Sequence, residues 1–401
     1  MAAPSRRGAI IAFYINGGVR EIIPIYPLYA IMFGEHGVSP FELSLLFSIW
    51  ALTGIIGEVP SGALADRYSR KWLVVTGGLL KSSAFLTWYL WQDFYGFAFG
   101  FVLWGSGSTL RSGAWEALLY DLLASWDRQA TFARYYGRIK ALALLGVGLG
   151  EITGGLLIIN GYDFVLLVSM TVPLIASLPF AILVQDPPAA HSPRQRRYLG
   201  LLREGFSEAL SSKPIRYIVC AYGLLLVAAG AWDEYVSPIL FEKGFPLDMV
   251  AYLGAMIYFA QASGMVLAGR FSDLSPGHLL MVLTIATAFL IPVPLLGGYW
   301  TPVVIAIFFF AFGFGSTLFG AQLQHAIKGN ARATVTSVAE LSEGIGAIAW
   351  FMVFGALAEA LGMANATTGF ALLTILLCGI FYRLARVWGI HQGLREAPVS
   401  K

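Results

Sequence analysis

Long apolar runs, each about as long as a membrane-spanning helix, recur along the whole chain. A helix needs about 20 apolar residues to cross about 30 Å of hydrocarbon. By that length the sequence predicts twelve spans, at residues 9–33, 42–65, 72–92, 97–122, 136–159, 163–184, 216–240, 248–270, 278–297, 301–327, 333–360 and 367–385. Because the runs are unbroken, whereas barrel strands alternate over about ten residues, they indicate helices. We therefore expect an all-α membrane protein.

Composition agrees with a chain whose main solvent is the bilayer. Hydrophobic residues make up 57% of the 401 positions and charged residues 12%, whereas a soluble domain carries about 25% charged residues. The first run contains Arg20 and Glu21 and is too long for the apolar core of a signal peptide, so we expect a retained helix. Cys220 and Cys378 lie inside apolar runs and show neither metal-binding spacing nor a disulfide pattern.

Positive charges lie on alternate loops, those that follow the even-numbered spans. The opposite loops contain only Lys243. The positive-inside rule therefore predicts that both termini and the central loop are cytoplasmic. An even number of spans also requires both termini on one side. We expect a multi-pass protein of the inner, cytoplasmic membrane of a bacterium.

The chain also carries an internal repeat. Three residues of the first half recur 207 positions later, as the pairs Gly37/Gly244, Gly62/Gly269 and Asp66/Asp273. The tetrapeptide GSTL at residues 107–110 recurs at residues 315–318, an offset of 208. Co-linear matches at nearly one offset predict two related halves, and parallel repeats place a substrate path at the interface between halves.

The halves predict an N-terminal bundle over residues 1–187, a cytoplasmic linker over 188–214 and a C-terminal bundle over 215–401. Within the linker, apolar residues recur at helical spacing among arginines and serines, at Leu199, Leu202, Phe206 and Leu210. This pattern predicts an amphipathic helix on the inner surface of the membrane. A plain tether is an equally good interpretation.

Residues 62–71 read GALADRYSRK, and this stretch resembles the loop motif G-x-L-A-D-R-x-G-R-K of the major facilitator superfamily. Ser69 replaces the second glycine of that motif. The resemblance extends over the chain and implies twelve helices in two pseudo-symmetric six-helix bundles. It also implies a cytoplasmic latch, in which Asp66 and Arg70 tie the second span to the eleventh in one state. The predicted latch residues are Gly62, Asp66, Arg67, Arg70, Lys71, Gly269 and Asp273.

The chemistry of the latch motif is partly readable from the residues. Gly62 would allow two helix backbones to approach closely. Asp66 can accept charge-assisted hydrogen bonds from Arg70 or from a helix N-terminus. In the fifth span, residues 146–155 read GVGLGEITGG and are similar to the antiporter pattern G-x-x-x-G-P-x-x-G-G, with Glu151 in place of the proline.

Ionisable side chains inside the predicted spans are the functional candidates, because each costs about 2.5–3.5 kcal/mol at the centre of an inserted helix. Two spans carry charge one turn before a proline, Arg20 before Pro24 and Glu234 before Pro238, and proline removes a helical hydrogen bond. The candidates for transport or proton coupling are Arg20, Glu21, Arg111, Glu116, Glu151, Asp233, Glu234 and Glu340.

Several of these candidates have competing interpretations. Arg20 could instead be a structural partner for a neighbouring helix, and Glu116 could pack on its own face. We favour a functional role for Arg111, a structural one for Lys81, and proton carriage for Glu151 and for the pair Asp233 and Glu234.

Two tryptophans of the fourth span are candidates for contact with substrate. Trp104 and Trp115 flank Arg111 and could stack on an aromatic or cationic substrate. Aromatic side chains in membrane helices also serve as lipid-facing or core residues, and that alternative stays open here.

No phosphate-binding loop is present in the sequence, so ATP hydrolysis is not expected. The sequence predicts a monomeric, proton-coupled secondary transporter, without cofactor or metal, that exports small amphipathic or cationic compounds. Its partners would be a small-molecule substrate, protons and the lipid bilayer, with no nucleic acid. The alternatives are a proton-linked uptake symporter and, from another class, a membrane receptor or scaffold that transports nothing. We do not expect an enzyme.

Overall fold

The structure is a computed structural model that describes residues 5–186, 216–217, 220–221, 223, 227–271, 274–326 and 332–388, with all their side chains except those of residues 59, 63, 66, 228–229, 323–326 and 332–340. The predicted amphipathic helix of the linker lies outside these residues. The chain divides into two compact units. Unit 1 comprises Met1–Ser192 with Phe245–Ala255, and unit 2 comprises Pro193–Gly244 with Met256–Lys401.

The described secondary structure is helical throughout. The first seven helices are α1 (Arg6–Gly18), α2 (Tyr29–Glu35), α3 (Pro40–Arg67), α4 (Arg70–Leu90), α5 (Phe94–Ala124), α6 (Phe132–Leu157) and α7 (Tyr162–Leu183). They are followed by α8 (Val227–Trp232), α9 (Val236–Glu242), α10 (Leu247–Ala268), α11 (Pro276–Ala288), α12 (Trp300–Ala326), α13 (Arg332–Leu361) and α14 (Met363–Val387).

Local sequence signals begin several of these helices. At α3, the Ser39 hydroxyl accepts from the Glu42 N–H and the Glu42 carboxylate accepts from the Ser39 N–H, with Pro40 in the first turn. Such a reciprocal cap satisfies two N–H groups that otherwise lack helical partners. At α5, the Asp93 carboxylate accepts from the N–H groups of Tyr95 and Gly96. These caps set where the chain enters the bundle.

In unit 1, α5 packs against both α3 and α4, α4 also packs on α7, and α1 packs on α6 and α7. One part of the core joins α1, α5 and α7 through aromatic rings. The ring of Phe13 lies 5.2 Å from that of Trp115 and 4.9 Å from that of Phe180, both edge-on. This edge-on geometry is favourable for aromatic pairs.

In unit 2, α11 packs against α12 and α14, and α13 packs against α8 and α14. Trp232, at the end of α8, is buried and stacks on Phe309 at 5.8 Å and on Phe370 at 5.3 Å. In both units, stacked or edge-on aromatic rings therefore join neighbouring helices within the core.

Eight helices of the described chain are long and apolar enough to cross a membrane, and α11 is a shorter apolar helix. Every predicted span overlaps helical structure where the chain is described. The prediction of an all-α, multi-pass membrane protein is confirmed. The number twelve remains a prediction.

Candidate functional site

The first helix of each unit is interrupted beside ionisable residues. In unit 1, α1 ends at Gly18, a 3-10 turn covers Val19–Glu21, and regular helix resumes only at Tyr29. In unit 2, α8 ends at Trp232, a 3-10 turn covers Asp233–Tyr235, and α9 follows. Both interruptions precede a proline, Pro24 or Pro238, that removes a helical hydrogen bond.

The interrupted segment of unit 1 lies against α6. Three glycines one turn apart on α6 meet backbone atoms of that segment at separations that leave no room for a side chain. A Cβ atom on each would lie 2.8 Å or less from a backbone atom: Gly146 at 2.4 Å from the Gly18 oxygen, Gly150 at 2.8 Å from the Ile23 nitrogen and Gly154 at 2.3 Å from the Pro24 oxygen. The glycine pattern of residues 146–155 therefore has a structural reason in this chain, because it seats the segment that carries Arg20 and Glu21.

Helix α7 holds the same segment from another side. The Ser169 side chain is fully buried, and its hydroxyl accepts from the backbone N–H of Ile25 at 3.0 Å. The Asn16 amide donates to the Ala176 carbonyl at 3.3 Å. A backbone N–H outside a regular helix needs such a partner when it is buried. Serine and asparagine roles of this kind were not predicted from the sequence, since neither residue carries charge.

The Glu21 carboxylate is the centre of a charged group. It accepts hydrogen bonds from Arg20 and, at 3.3 Å, from the Tyr26 hydroxyl. The Lys81 ammonium lies 3.6 Å from the same carboxylate and donates to the Tyr26 hydroxyl at 2.5 Å. The side chains of Arg20, Glu21 and Lys81 are only 12%, 16% and 4% exposed. Lys81 is thus paired within unit 1, and a purely structural role for it remains a prediction.

Helices α4 and α5 bring Lys81 and Arg111 to this region. The two helices cross in close contact at Gly77 and Gly107, and a Cβ atom on Gly77 would lie 2.5 Å from the Gly107 oxygen. Lys81 and Arg111 each follow one of these glycines by four residues, so each lies about one turn beyond the crossing on its own helix. The contact is possible only because neither position carries a side chain.

Arg111 differs from the other two cations in its contacts. Within the described residues it has no hydrogen bond and no ion pair, and its guanidinium lies 5.3 Å from the ring centre of Trp115. The Nε atoms of Arg20 and Arg111 are both buried without a hydrogen-bond partner among the described residues. We call Arg20, Lys81 and Arg111, together with Glu21, the cation cluster. Three positive charges and one negative charge give this cluster a net charge of +2.

The two candidate tryptophans already have aromatic or cationic neighbours. Trp104 is stacked on Tyr26 at 5.4 Å with nearly parallel planes, and the Lys81 ammonium lies 5.1 Å from its ring centre. Trp115 is 2% exposed and belongs to the core of unit 1, with Phe13 and Arg111 against it. Substrate stacking on either ring remains a prediction, and for Trp115 it would require a rearrangement of this core.

The carboxylates proposed as transport candidates have different surroundings. Glu116 accepts from the Tyr136 hydroxyl at 2.7 Å and lies 3.6 Å from the Lys140 ammonium. It therefore pairs with α6, which differs from the alternative interpretation of packing on its own helix face, and its candidacy for transport remains a prediction. Glu151 on α6 is 3% exposed. In unit 2, Asp233 accepts from the Tyr258 hydroxyl at 2.8 Å.

The remaining unit 2 candidates are Glu234 and Glu340. Glu234 is half-buried, and the side chain of Glu340 lies outside the described part of the chain. No group of three or more His, Cys, Asp or Glu side chains that could hold a metal occurs among the described residues.

The loop motif forms a tight connection between α3 and α4. Ser69 caps α4 by accepting from the Trp72 N–H at 3.3 Å, and its hydroxyl donates to Asp186. Its φ of −56° is open to any residue, so the glycine of the family motif is not required here. The Lys71 N–H donates to the same aspartate at 3.1 Å.

Arg70 forms an ion pair with Asp121 of α5, a partner that the sequence did not predict. Arg67 and Lys71 lie over the rings of Tyr68 and Trp72, at 5.8 and 5.0 Å. The side chain of Asp66 and all of Asp273 are not among the described residues, so the tie to the eleventh span remains a prediction.

The predicted role of Gly62 in close approach of two helix backbones remains a prediction. Gly62 lies on an exposed face of α3 in this structure, and a Cβ atom there would meet no described atom within 4 Å. A Cβ atom on its counterpart Gly269 would lie 3.7 Å from the oxygen of Val266, three residues earlier, and would meet no other described atom within 4 Å.

Comparison with known proteins agrees with this architecture. The family description of the Major Facilitator Superfamily matches residues 8–351. The chain therefore belongs to the major facilitator superfamily of membrane transporters.

Two curated relatives are similar over part of the chain. Inner membrane transport protein YajR of Escherichia coli (strain K12) is 24% identical over 259 residues, which cover 59% of this chain and 54% of that protein. The uncharacterised MFS-type transporter YxaM of Bacillus subtilis (strain 168) is 23% identical over 255 residues, which cover 62% and 61%. The chain thus spans less than two thirds of the length of these relatives.

Solved structures show the same fold at low identity. The nucleoside transporter NupG aligns with a TM-score of 0.75 and 12% identity, over 94% of this chain and 98% of that one. A bacterial homologue of the human lysosomal transporter Spinster, in an inward-facing and unoccupied conformation, aligns with a TM-score of 0.76 and 14% identity, over 96% and 97%. These likenesses confirm the all-α transporter fold.

Proposed function

We propose that this protein is a monomeric, proton-coupled secondary active transporter that works by alternating access, with both termini in the cytoplasm. The observation that carries the proposal is the matched interruption of the first helix in each unit, at Arg20 and Glu21 in unit 1 and at Asp233 and Glu234 in unit 2. Interrupted helices with ionisable residues are typical of the substrate and ion sites of transporters.

Three carboxylates are the proposed proton carriers, Glu151, Asp233 and Glu234. Glu151 is buried in α6, and Asp233 is held by a hydroxyl, that of Tyr258. A carboxylate held by a neutral hydroxyl can gain or lose a proton at smaller cost than one held in an ion pair. Glu21 is different, because Arg20 and Lys81 both contact it. We assign Glu21 the role of counter-ion.

For the direction of transport we propose export, on the similarity of residues 146–155 to the antiporter pattern. The cargo is a small amphipathic compound. The sequence alone predicted amphipathic or cationic compounds as cargo. The net charge of the cation cluster favours an anionic group instead, since a further cation there would be repelled by Arg20, Lys81 and Arg111.

Proteoliposomes that contain the full chain test this function and also identify the substrate class. We would expose them to a mixed pool of small phosphates, carboxylates, amines and neutral compounds, with and without an imposed pH gradient. Mass spectrometry would measure which compounds enter beyond the level in protein-free vesicles. We expect at least one compound to accumulate, and to accumulate more with the gradient. Vesicles of both orientations would distinguish export from uptake.

Variants make the test specific for proton coupling. Asp233→Asn should abolish the effect of the pH gradient while leaving exchange of the same compound measurable. Asp163→Asn is the matched control, because Asp163 is an exposed carboxylate at the start of α7 that accepts from Gln92. If the unmodified protein accumulates the compound to the same level with and without the pH gradient, proton coupling is ruled out. If no compound enters above background in either orientation, the receptor or scaffold alternative gains support instead.

A further inference from the structure

We infer that the cation cluster of unit 1 binds a doubly negative group of the cargo, either a phosphate monoester or a pair of carboxylates on one small molecule. The inference rests on the proposed transport function and adds the chemical class of the substrate to it. Four side chains carry it: Arg20, Lys81 and Arg111, with Glu21 as their internal counter-ion.

The first argument concerns the balance of charge. The side chains of Arg20 and Lys81 are only 12% and 4% exposed, so most of the water that would otherwise stabilise their charges is excluded. Buried charges need compensation by opposite charge or hydrogen bonds. Glu21 supplies one negative charge against three positive ones, and it is the carboxylate that contacts both Arg20 and Lys81. Two positive charges are left without a compensating charge. This number matches the two negative charges that a phosphate monoester or a dicarboxylate carries near neutral pH.

The second argument concerns hydrogen bonds. Glu21 already accepts from Arg20 and Tyr26 and contacts Lys81, so both of its oxygens already have partners. Arg111 has no hydrogen bond within the described residues, and the Nε atoms of Arg111 and Arg20 are buried and unpartnered there. A guanidinium presents parallel N–H donors whose geometry matches the oxygens of carboxylate and phosphate. The open donors of the cluster therefore suit an oxyanion.

The third argument separates this site from a purely structural cluster. Glu116 lies on the same helix as Arg111. Its carboxylate has direct partners, a hydrogen bond from Tyr136 and an ion pair with Lys140. Arg111 forms no direct ion pair or hydrogen bond with a described residue, and the negative charges of Glu21 and Glu116 act on it only through longer-range electrostatics. Instead, its position is fixed by the contact of Gly77 with Gly107 and by Trp115 beneath the guanidinium. A guanidinium that is placed by packing and has no direct ion pair keeps its N–H donors available to a ligand.

Binding to the purified full chain in detergent tests the inference. The probes are phenyl phosphate and succinate as dianions, benzoate as a monoanion and benzylamine as a cation, compared at equal ionic strength. The thermal unfolding midpoint and the Kd from calorimetry are the readouts. We expect the dianions to raise the midpoint more than benzoate does, and benzylamine to have no effect. In Arg111→Gln the Kd for phenyl phosphate should rise by about tenfold or more.

Two further variants keep the result interpretable. Arg111→Lys retains the positive charge without the parallel N–H donors of the guanidinium, so its affinity for phenyl phosphate should fall by an intermediate amount. This variant replaces Arg111→Gln in the test if Arg111→Gln fails to fold. Arg138→Gln is the matched control, because Arg138 is an exposed arginine on α6 outside the cluster, and its Kd should equal that of the unmodified protein. Tighter binding of benzylamine than of phenyl phosphate would overturn the inference. So would the absence of any shift by all four probes, or an equal loss of binding in Arg111→Gln and Arg138→Gln.

Two controls separate the inference from other outcomes. Anionic lipid headgroups carry the same chemistry, so calorimetry is repeated in neutral and in phosphatidylglycerol-containing lipid. Competition by phosphatidylglycerol at Arg111, with no binding of phenyl phosphate in neutral lipid, would assign the site to lipid and overturn its assignment to cargo. Arg111-dependent binding of phenyl phosphate with no entry of any compound into proteoliposomes would contradict the transport function while leaving the anion site intact.

Discussion

Gly77 of α4 and Gly107 of α5 meet backbone to backbone, and each would clash with the other if it carried a side chain. A Cβ atom on Gly77 would lie 2.5 Å from the Gly107 oxygen, and one on Gly107 would lie 2.6 Å from the Gly77 oxygen. This contact sets the spacing of the two helices that carry Lys81 and Arg111. The charged group of unit 1 therefore depends on two residues that have no side chain.

Gly107→Ala should destabilise the protein, because the new methyl group would have to push α4 away from α5. Overpacking of this kind costs about 1–3 kcal/mol. Thermal unfolding in detergent, followed by circular dichroism, measures the loss. The control is Gly113→Ala on the same helix, where a Cβ atom would meet nothing within 4 Å. Equal unfolding midpoints for the two variants would contradict the close contact.

Ser169→Ala should remove the partner of the buried Ile25 N–H and leave that donor unsatisfied. The expected loss is about 1–3 kcal/mol, the cost of an unpaired buried group. Ser177→Ala on the same helix is an exacting control, since the Ser177 hydroxyl is buried without a hydrogen-bond partner among the described residues. It should be neutral or slightly stabilising. A larger loss in Ser177→Ala than in Ser169→Ala would show that Ile25 is satisfied in another way.

Glu21→Gln should be strongly destabilising, because it removes the one carboxylate that contacts Arg20 and Lys81 within the described chain. Breaking a buried ion pair by removing one partner costs about 3–5 kcal/mol. Adding Lys81→Met to this variant should restore part of the stability, since one uncompensated charge disappears. A double-mutant cycle on the unfolding free energy measures the coupling. Simple additivity of the two changes would mean that Glu21 and Lys81 do not interact in the membrane.

Asp121→Asn should change stability by less than about 1 kcal/mol, because the Arg70–Asp121 pair is partly exposed, with side-chain exposures of 27% and 43%. Any effect should shrink further at high salt. The transport rate in proteoliposomes is the second readout, and a larger effect there than on stability would support a role of Arg70 in switching between states. A loss of several kcal/mol would instead make the pair a structural element of unit 1.

Much of the fold followed from the apolar runs. Unbroken stretches of about 20 residues can be satisfied only as helices in lipid, where no water completes the hydrogen bonds of the backbone. The interruptions at Pro24 and Pro238 could also be predicted, since proline removes a helical hydrogen bond regardless of its neighbours. The glycine pattern of residues 146–155 was recognised by its resemblance to a family pattern, but its role as the seat for the Arg20 segment was not.

The sequence by itself determined which residues are costly in the membrane, and Arg20, Glu21, Lys81 and Arg111 were all identified for that reason. Tertiary structure decided that these four belong to one group, that Tyr26 and Ser169 support it, and that Gly62 lies on an exposed face. The physical reason is that hydropathy depends on the residue alone, whereas a contact depends on how each helix is rotated about its axis. That rotation is set by packing between helices, which a single apolar run does not encode.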